Sequence, residues 1–294
     1  MTKMNKISIG MPIFNSDQSL QQALDSLLSQ TFSNFELIIS DNASDDSTSL
    51  ICKKYEKIDN RIKYIRQEKN IGPTNNFIFV LEQAKNNFFM WAAADDIWEP
   101  TFIEKNIKIL ESNKNIIGSI SDYDFFGDYI PDMYQSNSEG TIWRHLIDHA
   151  PSFDSPYSEK ISFYLRYGGG MHIYSIFNTD VLRKSIVNQH HIEWDQTVVL
   201  RTLKYGDLYV LDEILMHRSA SGGTSVSSII KRWLKQKIPL HWIIFMNIPF
   251  TYWFVKSFGI KIFLKNLGWF IKKILYGEKT VIIDLILLLF RIKK

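Results

Sequence analysis

The sequence predicts an α/β protein: a mostly parallel sheet with helices on both faces, followed by a helical C-terminal region of different character. Three observations carry that expectation. Over the first 125 residues, short apolar runs alternate with segments of helical period. Those runs are continuously apolar rather than alternating with polar residues, as strands covered on both faces require. Residues 229–294 carry 13 Lys/Arg against two acids, Glu278 and Asp284, a net of +11, whereas residues 1–228 carry 21 basic and 29 acidic residues, a net of −8.

Taken in order, Ile7–Ile13 is an apolar run that stops at Asn15-Ser16-Asp17, a strand and the loop after it. Leu20, Ala23, Leu24, Leu27 and Leu28 then recur at helical spacing behind Ser16 and Asp17, which can cap the first turn. A second strand over Phe35–Ser40 leads to a helix over Ser44–Ile58. A third over Ile62–Arg66 leads to a helix over Thr74–Lys85, and a fourth over Phe88–Ala94 to a helix opened by Pro100 and ended near Ser112. Ile116–Asp122 is a fifth strand. From Phe126 to Tyr157, Gly, Pro, Asp and Ser with scattered aromatics read as loop. Order returns in a strand over Met171–Phe177, a helix over Trp194–Lys204 and strands over Leu208–Leu211 and Glu213–Arg218. The Ser/Gly stretch Ser219–Ser228 reads as a hinge before the tail. The chain divides into a body, 1–228, with halves 1–125 and 126–228, and a tail, 229–294.

With 294 residues, 45% hydrophobic and 22% charged, the chain can bury a sizeable core. That composition excludes a disordered chain, a collagen-like repeat and a disulfide-stapled miniprotein. The single cysteine, Cys52, has no internal partner and falls among apolar positions of a helix, so it reads as a core residue in a fold suited to a reducing compartment. The opening MTKMNKISIGMPIFN has too short an apolar run for a signal peptide, and the expectation is a body in the cytoplasm.

In a parallel sheet, ligands bind beyond the carboxyl ends of the strands. Strand one ends in Pro12-Ile13-Phe14-Asn15, strand two in Asp41 and the acidic stretch through Ser47, and strand four in Asp95-Asp96-Ile97-Trp98. One edge thus presents an aromatic ring, an acidic cluster and a carboxylate pair. Neither GxGxxG nor GxxxxGK[ST] occurs, so the glycine-loop devices for diphosphates are missing. A divalent cation held by carboxylates is the other route to a diphosphate, and Asp95-Asp96 suits it. Ser44, Asp45 and Asp46 read as turn and helix cap. His217 and Arg218, after the last strand, read either as ligands for metal or diphosphate or as a structural pair, and His172 has the same two readings.

The set SIGMPIFN, ELIISDNASDDST, NIGPTNNF and FFMWAAADDIWEP, in order at strand ends over residues 6–125, resembles the family 2 inverting glycosyltransferases, which have the GT-A fold. The resemblance implies a catalytic unit over 1–228, nucleotide-binding in its first half and acceptor-binding in its second. It puts Pro12 and Phe14 at the nucleobase, with Asp41 accepting from the uracil imide and Asn15 among the residues that bind the nucleotide-sugar. Asn70, Gly72 and Asn76 would flank the nucleotide, and Asp95 and Asp96 would contact ribose and metal, Mn2+ or Mg2+. His217 is a weaker metal candidate, and Arg218 a candidate for the donor diphosphate. Ala93 stands where many members have a further aspartate. In HHIEWDQTVVLRTLKYGDLYVLDEILMHR, Asp195 matches the family's catalytic base and Gly206, eleven residues on, its matching glycine; Glu193 is the second choice of base. Such a base takes the acceptor hydroxyl proton during attack on the anomeric carbon. The processive signature QxxRW is absent, which implies one sugar per encounter.

The tail supplies the rest of the expectation. Ile238–Val255 holds 18 residues without formal charge but includes Pro239, His241, Asn247 and Pro249, which favours an interfacial or re-entrant pair of helices over a clean span. On a helical wheel, Ile260, Phe263, Leu264, Leu267, Phe270, Ile271, Ile274 and Leu275 share one arc of about 140°, with Lys261, Lys265 and Lys272 within about 40° on the other side. Trp233, Trp242, Trp253 and Trp269 add anchors, and Val281–Phe290 a short apolar run. A surface of anionic lipids explains both the charge and the aliphatic arc; nucleic acid explains only the charge. The expectation is a peripheral or monotopic glycosyltransferase at the cytoplasmic face of the membrane. It moves a sugar from a nucleotide-sugar, with UDP the expected carrier, to a hydroxyl of a lipid-linked glycan in polysaccharide or glycoprotein assembly. The alternatives are a polyprenyl-phosphate glycosyl synthase and a non-catalytic membrane scaffold with a decayed nucleotide site.

Overall fold

A computed structural model describes residues 7–127, 151–187, 193–219 and 247–275. Most of the loop-rich stretch 126–157, the hinge after Ser219, Trp233, Trp242 and the run 281–290 lie outside the described residues. The first half contains β1 (Ile7–Ile13), α1 (Leu20–Leu28), β2 (Phe35–Asp41), α2 (Thr48–Ile58), β3 (Ile62–Arg66), α3 (Pro73–Gln83), β4 (Phe88–Trp91), β5 (Ile97–Trp98), α4 (Phe102–Ser112) and β6 (Ile116–Phe126). The second contains α5 (Tyr157–Phe163), a π turn over Tyr164–Gly168, a 3-10 turn over Gly169–Tyr174, β7 (Ile176–Asn178), α6 (Thr179–Ser185), α7 (Trp194–Thr202) and β8 (Asp207–Ser219). α8 (Ile248–Phe258), α9 (Ile260–Lys265) and a helical run over 267–275 follow.

The eight strands form one sheet in the order β3-β2-β1-β4-β7-β6-β8-β5. β3, β2, β1 and β4 are parallel, as are β6 and β8. β7 runs antiparallel to both β4 and β6, and β5 antiparallel to β8, so the sheet is mixed rather than mostly parallel. The apolar run Met171–Phe177 is not one strand. Its first residues wind into the 3-10 turn, which buries His172 and Ile173, and only Ile176–Asn178 reach the sheet. Conversely, Leu208–Leu211 and Glu213–Arg218 are one long strand, whose register against β6 slips near Ser121–Tyr123. β6 runs on to Phe126, and the two-residue β5 has no period for a sequence to show.

Ser16 and Asp17 do not cap α1 with their side chains. The Ser16 carbonyl accepts from Ser19 and Leu20 N–H, while the Ser16 N–H donates to Thr48 Oγ1 at 2.8 Å and Asp17 accepts from Ser47 N–H at 3.3 Å. The loops after β1 and β2 are thereby knitted together. Cys52 is buried in the core, and burial pushes its thiol up to about 12.

The described part of the tail packs back on the body. Phe250, Phe254 and Phe270 are buried in an aromatic cluster with Trp253 and Trp269. Asn266 bonds Ser162 Oγ at 2.9 Å and accepts from Arg166 Nε at 3.1 Å. The single apolar arc of the wheel is consequently split. Phe270 turns into the protein with Phe263 and Ile274 partly buried, while Ile260, Leu264, Leu267, Ile271 and Leu275 stay exposed beside exposed Lys261, Lys265 and Lys272. Among the described residues no helix is long and apolar enough to cross a membrane.

Gly206 precedes β8 where the chain crosses the start of β6. A Cβ there would lie 2.3 Å from the Asn115 carbonyl oxygen, a backbone atom that cannot swing away. Gly206→Ala is therefore expected to lower the free energy of unfolding by about 1–3 kcal/mol, read from the urea midpoint at unchanged slope.

Candidate functional site

The carboxyl ends of β1 and β2 build one wall. Asn15 adopts a left-handed conformation, φ 50°, which its short polar side chain tolerates. Its amide donates to Asp45 Oδ1 at 2.6 Å, and its side-chain carbonyl accepts from Asp45 N–H. That clasp leaves the Phe14 ring 37% exposed at the strand end, with Pro12 half-buried behind it. Asp46 accepts from Thr48 N–H at the start of α2, while Ser47, at the cap position, makes no side-chain cap bond.

Asp41 is fully buried, and its carboxylate is already engaged. It accepts from Ser44 N–H at 2.8 Å, the Tyr64 hydroxyl at 2.7 Å and Arg66 Nη1 at 2.8 Å. Arg66 also donates to the Ser44 carbonyl. Burial, and then the Asp41 carboxylate, push the Tyr64 phenol above its ordinary range. Asn70 is exposed and ties the next loop, accepting from Gly72 N–H and Asn42 Nδ2. Gly72 has φ 84° and opens α3. Asn76 lies beneath this wall, its amide bonded to the carbonyl and hydroxyl of Ser40. Asn70 and Gly72 are thus at the rim, while Asn76 and Asp41 hold the wall from below.

The acid pair occupies the turn between β4 and β5. Asp96 is 1% exposed; it accepts from Ser219 N–H at 3.2 Å and pairs with Arg218 Nε at 3.5 Å. Burial pushes its carboxyl up to about 6, Arg218 opposing and Asp95 adding. Asp95 is raised by burial, with Arg218 opposing. Arg218 lies within 5.3 Å of the Tyr174 ring, 5.6 Å of Tyr123 and 5.9 Å of Phe125. His217, its neighbour, faces away into Glu99 and Asp124, at 2.9 and 2.5 Å. Burial alone would lower its pKa, but the two carboxylates raise it on balance. The structure does not bring His217 into one ligand set with Asp95 and Asp96: among the described residues, no cluster of three or more His, Cys, Asp or Glu could hold an ion. His172 is fully buried edge-on to Tyr164, and burial holds it down near about 4, so it packs as a neutral core residue.

The other side of the site hangs from Trp194. Its ring contacts Phe77 at 6.2 Å and Trp91 at 6.0 Å, and its Nε1–H donates to the Val187 carbonyl. This fixes the first turn of α7 and turns Asp195 towards the 3-10 turn. A Cβ on Gly170 would lie 1.8 Å from Asp195 Oδ2, so a larger residue there would have to displace the Asp195 carboxylate. Burial pushes Asp195 up to about 6; the Glu193 carboxylate adds to this, and the Gln196 N–H and Lys273 oppose it. Glu193 is ion-paired with Lys273 at 2.8 Å.

Tyr174 joins the two sides. Its ring lies 5.3 Å from the Arg218 guanidinium, and burial raises its phenol, with Arg218 opposing and the charges of Asp96, Asp95 and Asp195 reinforcing the shift. Sequence reasoning missed Tyr64, Arg66, Gly170, Tyr174 and Lys273. For Arg66 a signal existed: as the last residue of β3, it stands in register with Asp41 on the parallel neighbour.

A family model, Glycosyl transferase family 2, matches residues 8–174. Glycosyltransferase GlyA of Streptococcus pneumoniae is 29% identical over 144 residues, 49% of this chain and 19% of that protein. An uncharacterized glycosyltransferase of Haemophilus influenzae is 26% identical over 190 residues, 63% of this chain and 54% of that one. The chain therefore spans from about a fifth to about half of the length of these relatives. S. aureus TarS 1–349, solved with UDP-GlcNAc, superposes with TM-score 0.56 at 20% identity over 76% of this chain and 62% of that one. Mannosyltransferase PcManGT from Pyrobaculum calidifontis, solved with GDP-Man and Mn2+, superposes with TM-score 0.61 at 11% identity over 97% and 75%. These likenesses concern the fold, which is mixed α/β and GT-A-like.

A carboxyl raised in the folded state binds a proton there more readily than when unfolded, so ionising it on the way to neutral pH weakens the fold. For Asp195, raised to about 6, the stability is full below the unfolded value near about 4 and is lost as pH rises through about 6. Asp195→Asn is accordingly expected to stabilise the protein by about 1–3 kcal/mol at pH 7.5, the gain vanishing near pH ~4 in paired urea melts.

Proposed function

The chain belongs to glycosyl transferase family 2, and we propose that it is an inverting, non-processive enzyme moving a sugar from UDP to a hydroxyl of a lipid-linked or membrane-presented glycan. The observation that carries this reading is the 3-10 turn Gly169–Tyr174, which abuts Asp195 at Gly170 and, at Tyr174, lies 5.3 Å from Arg218, itself paired to Asp96. We read that turn as joining a proton acceptor to a diphosphate-binding cluster. With its carboxyl near about 6, Asp195 is ionised at neutral pH yet basic enough to take a proton in the transition state. It removes the acceptor hydroxyl proton as that oxygen forms its bond to the anomeric carbon, and the sugar–phosphate bond breaks on the opposite face. The electron pair leaves on the diphosphate. Arg218, held among three rings and paired to Asp96, is the cation this chain itself offers to that growing charge.

The residues present fit a divalent cation. Asp95 and Asp96 are adjacent carboxylates in the turn between β4 and β5, and the Arg218 guanidinium pairs with Asp96 beside them. A donor set of one or two carboxylates completed by phosphate oxygens is the usual one for Mg2+ and Mn2+. Asp95 and Asp96 would hold the ion, whose chemistry is to neutralise the departing diphosphate.

The tail supports the membrane part of the reading. The exposed stripe Ile260, Leu264, Leu267, Ile271 and Leu275, edged by Lys261, Lys265 and Lys272, is the pattern of a helix lying in an anionic lipid surface. Holding the body at the cytoplasmic face as a peripheral or monotopic enzyme raises the effective concentration of a lipid-linked acceptor.

Calorimetry of UDP with the full chain is expected to show binding with Mn2+ that is lost in EDTA. Asp195→Asn should keep that binding but lose turnover by at least about 10²-fold. Retained turnover of that variant on polyprenyl phosphate would favour the polyprenyl-phosphate synthase, and silence towards all nucleoside diphosphates a non-catalytic scaffold. Flotation with vesicles should recover the protein with anionic but not zwitterionic lipids, and Leu264→Asp with Ile271→Asp should abolish recovery at unchanged melting temperature.

A further inference from the structure

We propose that Lys273, reaching the body from the helical run 267–275, is a positioning residue for Asp195, acting through Glu193. The inference rests on the reading of Asp195 as the proton acceptor. Glu193 directly precedes α7, two residues before Asp195, and its carbonyl accepts from Thr197 N–H at 2.8 Å. The two residues therefore share one turn, and a cation that compensates the Glu193 carboxylate favours ionisation of Asp195.

Lys273 supplies that compensation from a distant part of the chain. Its ammonium is 2.8 Å from Glu193 Oε1, with the two side chains 23% and 22% exposed. It also lies over the Trp269 ring at 4.8 Å and the Phe250 ring at 5.7 Å. The Lys273 carbonyl accepts from Asn247 Nδ2, and the segment is latched further back through Asn266 to Ser162 and Arg166. This is a lysine held by its backbone, its charge and its stem, unlike an exposed lysine trading water for a weak ion pair. Among the described residues, the charged and titratable groups acting on Asp195 are Glu193 before it, Tyr174 from the 3-10 turn and Lys273 from the tail. Lys273 is the cation among the three. The segment whose outer face carries the apolar stripe thus carries, on its inner face, the charge that keeps the base usable. A tail lifted off the body leaves Glu193 uncompensated beside Asp195.

The test is a carboxyl-13C NMR titration of the metal-free full chain labelled at aspartate, with Asp195 assigned from the Asp195→Asn spectrum. Lys273→Met should move the Asp195 midpoint up by about one unit, Lys273→Arg should leave it in place, and Glu193→Gln should move it down. An Asp195 midpoint that stays put in either Lys273→Met or Glu193→Gln overturns the inference. Should Lys273→Met fail to fold, Lys273→Gln is read in its place, with the same two outcomes. Release of UDP from UDP-GlcNAc in water, measured on Asp195→Asn, separates the two layers. Full release by that variant removes the base reading while leaving the coupling, whereas a dead variant with an unmoved midpoint in Glu193→Gln removes only the coupling.

Discussion

The packing of Trp194 against Phe77 and Trp91 is the contact on which the site depends. Trp91 ends β4 and Phe77 lies on α3, so both belong to the half of the chain that carries the strand-end loops. Trp194 opens α7 in the other half. Each aromatic pair contributes about 0.5–1.5 kcal/mol beyond the area it buries. More importantly, three rings meeting at fixed angles admit few alternative arrangements. Asp195, Gly170 and Glu193 inherit their positions from that junction, because each lies within one turn of Trp194 or packs directly on its neighbour.

Two kinds of buried carboxylate result. Asp41 accepts three hydrogen bonds and ties β2, β3 and the loop before α2 into one unit. Asp96 is buried, Asp95 and Asp195 half-buried, all with fewer partners, and loss of solvent dominates the state of each. A fully bonded carboxylate serves the wall that holds it. An under-bonded one is a cost in the empty protein, and such costs gather where a ligand will supply the missing charge. The fold thus marks its site by where it leaves acids incompletely met.

Much of this was legible in the chain. β1 and β2 fall within a residue of their apolar runs because strands buried on both faces leave an uninterrupted signal; β3, a partly exposed edge strand, also lies where it was expected. Asp95, Asp96 and Asp195 stood out as acids beside such elements. What escaped was decided at long range. Met171–Phe177 is as apolar as any strand, yet three glycines before it and the bulk of Tyr164 beside His172 wind its start into a 3-10 turn. The helical wheel of the tail found the apolar arc but could not divide it, because period is blind to whether protein or solvent lies on a given side. Phe263 and Phe270 turn inward only because Phe250 and Phe254 wait there. Arg66 and Lys273 were unremarkable basic residues until the strand register and the docked tail gave them Asp41 and Glu193.

The three residues of β7 are the seam of the sheet. On one side stand β3, β2, β1 and β4; on the other, β6, β8 and β5; only Ile176–Asn178 hydrogen-bond to both. A nascent chain can pair its first four strands early, since all of them precede residue 92. It cannot close the sheet until β7 has left the ribosome, on the order of several seconds later at ~5–20 residues per second. Until then the outer edge of β4, the hydrophobic FFMW, is an unpaired strand bordering the very rings that Trp194 will cover. That interval is the period in which a chaperone or another nascent copy competes with β7 for β4.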